Sequence, residues 1–290
     1  MISVNGTPAL LAVDAGNTQI KWGLLLLEPG DGALALSEGV ISDRVTPAIF
    51  DLNTWAQDVQ AVVQGVIVSS VRTAAETRAL CEEIQQVFPE AHCLQLLPQS
   101  FTMPFSTQYE LSELGADRLM NILGLLALSK AVGQDHDHSL WIAVDAGTCC
   151  TVDVYHSEDG NPDAGYLGGW ILPGLQMQAK AMTAYTARLP DISEKLSSQC
   201  TQAINQIGTS TETSMLKGLQ LGYPAMILGV LNSLFLSNKQ VGDFQCEHTV
   251  ILTGGDATYL LKALSPYLPN CRVERQLNFI GLRQAWQLLY

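Results

Sequence analysis

The segment Asp14 to Lys21 combines the side chains and the backbone freedom that a phosphate site requires. It reads Asp-Ala-Gly-Asn-Thr-Gln-Ile-Lys and lies between two apolar runs, Ala9 to Val13 and Trp22 to Leu27. Two apolar strands joined by a short polar turn that contains glycine are typical of a β-hairpin. Glycine lets a ligand approach the backbone, small polar side chains and amides donate hydrogen bonds, and lysine neutralises phosphate charge. We therefore predict a phosphate-binding turn here, with Asp14 holding Mg²⁺ directly or through water.

A second copy of this pattern supports the phosphate interpretation. The apolar strand Trp141 to Val144 leads into Asp145-Ala146-Gly147-Thr148, and another apolar strand, Thr151 to Tyr155, follows. One Asp-x-Gly hairpin turn by itself is more commonly an ordinary turn. Two such turns, each after a short hydrophobic strand, predict two related lobes that face one nucleotide.

The segment Gly115-Ala116-Asp117-Arg118 lies between the two turns, at the start of a long predicted helix, Leu114 to Val132. A carboxylate at this position can accept a proton from a substrate hydroxyl, and the adjacent guanidinium can bind an anionic group. The alternative is structural, because the helix dipole favours Asp at a helix N-terminus and Arg118 can form a surface ion pair. Position in the sequence does not separate these two interpretations.

The elements around the first turn predict an α/β lobe with a mixed sheet. Short β-branched runs indicate buried strands, and apolar residues at helical spacing indicate helices. After the hairpin we predict a helix, a strand, a second helix and a second strand, at Asn53 to Gln64, Val66 to Val71, Thr73 to Phe88 and Cys93 to Leu97.

The second half of the chain repeats this order loosely. Pro224 is expected to kink or split the longest helix, because proline lacks the amide proton that a helix requires. The strand Thr249 to Thr253 ends in Gly254-Gly255, where a backbone can approach a nucleotide closely. The other predicted elements are helices at Leu175 to Arg188, Glu212 to Leu236, Ala257 to Leu264 and Ile280 to Tyr290, and a strand at Cys271 to Glu274. We expect two domains, residues 1–114 and 115–290.

The net charge of −13 limits the classes of partner. With 28 acidic and 15 basic residues, the chain lacks the clustered Lys and Arg that bind nucleic acids and anionic membranes. A bound polyphosphate must then rely on backbone amides, a metal ion and one or two local bases. No basic segment precedes the first apolar run, and the run Ala225 to Leu236 is too short to span a bilayer. We therefore expect a cytoplasmic protein without nucleic-acid or membrane partners.

The cysteines and histidines do not predict a metal site. Seven scattered cysteines without a Cys-x-x-Cys spacing are typical of reduced thiols. His136 and His138 are interpreted as exposed loop residues rather than as metal ligands.

Taken in order, these motifs resemble those of the type III pantothenate kinases, in the superfamily of acetate and sugar kinases, heat-shock chaperones and actin. The resemblance covers essentially the whole chain, and its most specific parts are Gly-Ala-Asp-Arg and Gly-Gly-x-Ile-x-Pro-Gly. The motifs that carry it are the two Asp-x-Gly turns, Tyr109 followed by Gly115 to Arg118, Gly168 to Gly174, and Leu252 to Gly255. It implies two actin-like, ribonuclease H-like lobes, each a mixed β-sheet flanked by helices, with a cleft between them.

The same resemblance implies that a homodimer phosphorylates the primary hydroxyl of pantothenate with ATP, the first step towards coenzyme A. It implies that Asp117 is the general base and that Asp145 binds a monovalent cation, K⁺ or ammonium. The implied pantothenate contacts are Tyr109, Gly115, Ala116, Asp117, Thr211 and Arg118, the last near the carboxylate of pantothenate. The expected ATP and Mg²⁺ site comprises Asp14, Ala15, Gly16, Asn17, Thr18, Gln19, Ile20, Lys21, Thr148, Gly254 and Gly255.

Two departures from the family pattern concern the substrate contacts. The usual Gly-Lys-Asn-Thr before the long helix appears here as Gly208-Thr209-Ser210-Thr211, so the lysine is absent. The spacing from Tyr109 to Asp117 is also slightly short. Neither change removes a group that the chemistry requires.

Alternatives to this kinase remain at this point. A non-catalytic regulatory protein of the same family could lose its base or its phosphate turns, yet Asp14, Lys21, Asp117 and Asp145 are all present. Another activity of the superfamily, such as that of a sugar kinase or a polyphosphate phosphatase, is disfavoured by the short chain and by the Gly-Ala-Asp-Arg element.

Overall fold

The computed structural model describes residues 8–27, 40–46, 54, 62–132, 139–157, 164–199, 207–240 and 248–290. The chain divides into two compact units, each assembled from segments that are distant in the sequence. The first unit comprises residues 1–141, 153–168 and 276–290, and the second comprises residues 142–152 and 169–275. The expected division after residue 114 stays a prediction.

The first unit contains a five-stranded mixed sheet of order β3-β2-β1-β4-β5. Its strands are Pro8–Ala15 (β1), Ile20–Leu26 (β2), Val40–Thr46 (β3), Val62–Ser70 (β4) and His92–Gln95 (β5). β2 pairs antiparallel with β1 and β3, whereas β4 pairs parallel with β1 and β5. The first predicted hairpin is therefore confirmed as β1–β2, and both strands are apolar and buried along most of their length.

Helix α1, Ala74–Val87, follows β4 and starts where the sequence predicted. The backbone N–H of Glu76 donates to Thr73 Oγ1 at 3.3 Å, and the N–H of Thr73 donates to Glu76 Oε2 at 3.1 Å. This reciprocal pair is a capping box, which satisfies two amide groups that the first turn of a helix leaves free. Leu80 and Ile84 of α1 pack into the core on this sheet.

Two helices of the first unit, α2 at Ala116–Val132 and α7 at Leu277–Leu289, lie against each other at backbone contact distance. Glycines permit this approach. A Cβ atom on Gly281 would overlap the carbonyl oxygen of Met120, and one on Gly124 would lie 2.6 Å from the carbonyl oxygen of Leu277. Any larger residue at Gly281 must push the two helices apart.

A six-stranded sheet has the order β11-β10-β7-β8-β9-β6. Its strands are Ser106–Thr107 (β6), Ser139–Ala146 (β7), Cys149–Ser157 (β8), Gly165–Pro173 (β9), His248–Thr253 (β10) and Cys271–Val273 (β11). β7 and β8 are neighbours in the sheet and correspond to the second predicted hairpin. Two mixed sheets with helices between their strands confirm the predicted α/β class.

The remaining helices correct several predicted boundaries. They are Leu175–Ala184 (α3), Ser193–Gln199 (α4), Thr211–Gln240 (α5) and Ala257–Leu264 (α6). α3 ends before the predicted Arg188, α4 was not predicted, and α7 starts before the predicted Ile280. Pro224 lies inside α5 and does not split it.

The helix predicted at residues 53–64 ends too late, because β4 begins at Val62. Its other residues lie outside the described part of the chain, except Thr54, which is helical. His136 and His138 also lie outside the described residues.

One described helical segment, Thr211–Leu236, is long and apolar enough by length and composition to cross a membrane, with a mean hydropathy of 1.5. The apolar run Ala225 to Leu236, which is too short by itself, forms the C-terminal part of this longer segment. A third of its most apolar window is buried inside the protein, and core helices of soluble proteins pass the same test. Length and composition alone are weak evidence for a membrane span.

Candidate active site

The first predicted phosphate turn projects from the end of the β1–β2 hairpin. Asp14 and Lys21 are direct partners across the two strands, and Lys21 Nζ lies 3.3 Å from Asp14 Oδ2. Asn17, Thr18 and Gln19 between them are exposed, so their donors can meet a ligand. The side chains of Ala15 and Ile20 are buried in the core, so these two positions can offer only backbone groups.

Two residues from distant segments hold this turn, and the sequence did not reveal either. Arg72, after β4, donates its Nε–H to the carbonyl oxygen of Gly16 at 2.8 Å. Asn278, in the first turn of α7, donates from Nδ2 to Asp14 Oδ2 at 3.0 Å. Nothing near Asn278 in the sequence indicates such a contact, because the partners are separated by most of the chain.

The carboxylate of Asp14 fits the requirements of a Mg²⁺ ligand. Its Oδ2 forms the ion pair with Lys21 and accepts the hydrogen bond of Asn278. Its Oδ1 makes no hydrogen bond to any residue in the described part of the chain. No group of three or more His, Cys, Asp or Glu side chains is placed to bind a metal among the residues described. Mg²⁺ is commonly held by one or two carboxylates together with phosphate oxygens and waters, so a single carboxylate beside a phosphate turn suffices.

Arg118 lies in a buried polar cluster of the first unit. Its Nε donates to Asp153 Oδ1 at 2.9 Å, and its Nη2 lies 2.7 Å from the same oxygen. Nη2 also donates to the hydroxyl of Tyr166 at 2.6 Å, and Nη1 donates to the hydroxyl of Tyr109 at 2.9 Å. The Tyr166 hydroxyl donates in its turn to Asp153 Oδ1 at 2.8 Å. All three guanidinium nitrogens are thus engaged, and the predicted alternative of a surface ion pair is wrong because Arg118 is only 4% exposed.

Burial dominates the electrostatics of this cluster. It raises the pKa of Asp153 to about 6, against the opposing effect of Arg118 and Tyr166, and the nearby charge of Asp117 raises it further. Burial also disfavours the charge of Arg118, but the attraction of Asp153 outweighs it and raises the pKa of that guanidinium. Arg118 therefore stays charged, whereas its partner carboxylate titrates near neutral pH.

Asp117 differs from Asp153 in its exposure. It lies in the first turn of α2 and is half-buried, and its Oδ1 accepts the backbone N–H of Arg118 at 2.8 Å. A half-buried carboxylate whose orientation is fixed by a backbone N–H can receive a proton from a substrate. Gly115 and Ala116, the two other predicted substrate contacts beside Asp117, lie at the same helix N-terminus.

The second predicted turn meets the glycine segment after β10, within the second unit. The N–H of Asp256 donates to the carbonyl oxygen of Ala146 at 3.1 Å. Gly254 has a φ of +86°, and a Cβ there would lie 2.6 Å from both Asp145 Oδ1 and the carbonyl oxygen of Ala146. Only glycine fits this position, because a side chain would both strain the backbone and collide with Asp145.

Gly174, the residue after β9, also adjoins this turn. A Cβ on Gly174 would overlap the carbonyl oxygens of Gly147 and Thr148. Four of the predicted motif positions, Asp145, Thr148, Gly254 and Gly174, are therefore packed together at one end of the sheet.

Thr211 is the first residue of α5 and lines a cavity of about 580 Å³ in the second unit, together with Met182, Leu189 and Gly208 to Ser210. The N–H groups of Thr209 and Ser210 both donate to Thr213 Oγ1, at 3.0 and 2.9 Å. Hydroxyl contacts therefore fix the backbone of Thr209 and Ser210.

Four residues of the candidate site were missed in the sequence: Arg72, Asp153, Tyr166 and Asn278. Asp153 alone left a signal, since it is an ionisable residue between Val152 and Val154 in an apolar strand. Such a residue is buried only with a partner, and here Arg118 supplies it.

The chain is similar to known proteins over almost its whole length. The chain is 29% identical to a type III pantothenate kinase of Koribacter versatilis, over 96% of this chain and 95% of that one. It is 27% identical to a type III pantothenate kinase of Pseudomonas putida, over 96% of this chain and 99% of that one. A solved glycerol kinase of Plasmodium falciparum with ADP shares the fold, with a TM-score of 0.50, 7% identity and coverage of 98% of this chain and 90% of that one. The model of the type III pantothenate kinase family matches residues 10–233, and the chain belongs to that family.

Proposed function

We propose that this protein transfers the γ-phosphoryl group of ATP to the primary hydroxyl of pantothenate, the first step of coenzyme A synthesis. The observation that carries the proposal is the half-exposed carboxylate of Asp117 at the start of α2, inside the segment that matches the family. A non-catalytic regulator of the same family is not favoured, because the base and both turns are present and are held by specific contacts.

In this reaction Asp117 is the general base. The hydroxyl oxygen of pantothenate bonds to the γ-phosphorus, the bond from that phosphorus to the bridging oxygen breaks, ADP leaves, and the hydroxyl proton passes to Asp117. Gly115 and Ala116 line the same helix start. Arg118, which Asp153 keeps charged, faces the carboxylate of pantothenate together with Tyr109. The hydroxyl of Tyr109 accepts a hydrogen bond from Nη1 of Arg118.

The first turn grips the phosphates. The backbone of Gly16 and the exposed residues Asn17 to Gln19 surround them, with backbone groups of Ala15 and Ile20 at either end. Lys21 contributes positive charge in a chain of net charge −13. Asp14 would hold Mg²⁺ with its carboxylate, directly or through water. When bound, Mg²⁺ neutralises charge on the phosphate oxygens and supports transfer.

The second turn and the glycine segment hold the rest of the nucleotide. Thr148, Gly254 and Gly255 contact ATP, and Asp145 binds the monovalent cation, K⁺ or ammonium. The close packing of Gly254 against Asp145 Oδ1 supports a shared site, because it fixes the carboxylate beside the backbone that meets the ligand.

Thr211 completes the pantothenate contacts, and the active form is a cytoplasmic homodimer. Leu221 and Leu236 of α5 are 59% and 62% exposed. These two exposed side chains are fifteen residues apart and do not by themselves define an interface, so the homodimer is proposed on the family resemblance.

The decisive experiment is a turnover assay with Mg-ATP and pantothenate, in K⁺ and in Na⁺. Wild-type protein should form 4′-phosphopantothenate, faster in K⁺. Asp117→Asn should keep ligand binding and lose roughly 10²- to 10⁴-fold in kcat, the usual contribution of a general base. Glu82→Gln, on the exposed face of α1, makes the same chemical change away from the site and should leave kcat unchanged.

Absence of turnover by the wild type in both salts would refute the kinase. Near-normal turnover by Asp117→Asn, with wild-type activity present, would remove Asp117 from the role of base while leaving the reaction intact.

A further inference from the structure

We propose that Asn278 is a positioning residue of the phosphate site, which fixes the carboxylate of Asp14 in the orientation that serves Mg-nucleotide. This inference rests on the proposed function of the first turn. It concerns a residue of the C-terminal helix that lies outside residues 10–233, where the family model matches.

The side chain of Asn278 has a single possible orientation. It is buried, with 3% exposure, and its Oδ1 accepts the backbone N–H of Phe279 at 2.9 Å. Its Nδ2 therefore faces Asp14 Oδ2, at 3.0 Å. The reverse orientation would place an oxygen against a carboxylate and a donor against an N–H group, and both contacts would be repulsive. The amide is thus a one-way donor to Asp14.

Asn278 and Lys21 play different parts at the same oxygen. Lys21 Nζ is 3.3 Å from Asp14 Oδ2, but its side chain is 36% exposed and can move towards a phosphate. Asn278 is packed in a helix and is uncharged. It keeps the plane of the carboxylate fixed when Lys21 turns to the ligand, and it leaves the negative charge of Asp14 available. Such outer contacts orient the groups that bind a metal.

Helix α7 is itself held rigidly. Gly281, one turn after Asn278, meets the carbonyl oxygen of Met120 in α2, and Gly124 of α2 meets Leu277. α2 carries Asp117 in its first turn. Within the first unit, one helix therefore contacts both the Mg²⁺ candidate Asp14 and the helix that presents the base. Asn278 is the residue through which helix α7 contacts the phosphate turn.

The test compares nucleotide binding with pantothenate binding in variants of the full chain. Asn278→Asp replaces the donor by an acceptor of the same shape and should weaken the affinity for Mg-ADP by roughly 10- to 100-fold, the usual effect of losing an outer contact at a metal site. The affinity for pantothenate should not change. Asn278→Ser, in which the side chain is smaller and uncharged, should also weaken the affinity for Mg-ADP. It replaces Asn278→Asp in the test if that variant does not fold.

The exchange Asp14→Asn with Asn278→Asp separates positioning from a structural hydrogen bond. It restores a donor and an acceptor at the same place, so thermal stability without ligand should recover from that of Asn278→Asp. The affinity for Mg-ADP should not recover, because the carboxylate now lies on the wrong residue. Ser129→Ala, which removes a buried hydrogen bond in α2 to Leu126, is the control for a purely structural loss and should bind Mg-ADP as the wild type does.

Recovery of Mg-ADP affinity in the exchange variant would overturn the proposal, as would wild-type affinity in folded Asn278→Asp and Asn278→Ser. Equal loss of pantothenate and Mg-ADP affinity would do the same. The readout does not need turnover. A wild type that binds Mg-ADP without phosphorylating pantothenate would refute the proposed reaction and leave the role of Asn278 to be decided by these affinities.

Discussion

Replacing Asp153 by Asn tests whether the buried ion pair with Arg118 stabilises the fold. Removing one partner of a buried pair ordinarily costs about 3–5 kcal/mol, because a charge is left without compensation. We expect a much smaller effect here. Asn keeps an oxygen at the position of Oδ1, which can still accept the hydrogen bonds of Arg118 and Tyr166.

The magnitude follows from the pKa of Asp153, which burial raises from 3.8 to about 6. The folded protein binds this proton more tightly than the unfolded chain, so the stability due to Asp153 is fully present below about pH 4 and is lost as the pH rises through about 6. At pH 7.5, above both pKa values, the ionised form is disfavoured against a neutral isostere by up to about 3 kcal/mol, because each unit of difference between the folded and unfolded pKa corresponds to about 1.4 kcal/mol. Against this, Asn places an N–H donor where Asp153 Oδ2 has no partner among the described residues, which costs about 1–3 kcal/mol. The two effects offset each other, and Asp153→Asn should unfold within about 1–2 kcal/mol of the wild type.

Urea unfolding at pH 7.5 and pH 5 measures both parts of this expectation. Between these values the wild type should gain about 1.4 kcal/mol relative to Asp153→Asn, because only the wild type can bind the proton. Asp153→Ala removes every acceptor and should show the full loss of about 3–5 kcal/mol at pH 7.5. A loss of stability in Asp153→Asn as large as that in Asp153→Ala would contradict this expectation, as would a difference from the wild type that does not change with pH.

Two further substitutions test the packing and capping that hold the site. Gly281→Ala should destabilise the protein by about 1–3 kcal/mol or more, because its methyl group would overlap the carbonyl oxygen of Met120. Gly229→Ala in α5 has open space at its Cβ and should instead stabilise by about 0.5–1 kcal/mol, so equal thermal shifts for the two would contradict the packing. Thr73→Ala should cost about 1 kcal/mol in urea unfolding through loss of the capping box, and an unchanged midpoint would show that the cap is dispensable.

The parts of the fold that the sequence predicted are those with local causes. The first hairpin has alternating apolar and polar blocks with a glycine turn between them, and α1 starts at a Ser/Thr-x-x-Glu cap that is visible at Thr73. Helix α5 continues through Pro224 without being split, because a helix can accommodate proline at the loss of one hydrogen bond, and the expected kink stays a prediction. The predicted end of the helix at residues 53–64 is wrong because the local sequence pattern is ambiguous there. Val62 and Val63 fit either a helix face or a strand, and pairing with β1 decides for the strand.

The candidate site divides along the same line. The groups expected to touch ligand lie in short contiguous motifs, such as Asp14 to Lys21 and Gly115 to Arg118, so their chemistry is visible in the sequence. The residues that hydrogen-bond to these groups lie elsewhere in the sequence. Asn278 is far from Asp14 in the chain, and Asp153 is far from Arg118. No local pattern predicts a contact whose partners are joined only by the folded backbone. The structure therefore adds geometry to residues whose chemistry was already apparent.

Asn278 and Asp153 differ in the charge of the side chain that they present to their partners. In an acidic chain, a functional carboxylate needs a partner that does not cancel its charge, and a functional guanidinium needs one that makes its burial tolerable. Asn278 is neutral, so Asp14 keeps the negative charge that a divalent cation requires. Asp153 is ionisable, so Arg118 remains charged although it is 4% exposed. The two kinds of partner are therefore not interchangeable. A carboxylate in place of Asn278 would repel Asp14, whereas an amide in place of Asp153 would keep the hydrogen bonds of Arg118 and lose only the attraction that raises the pKa of its guanidinium.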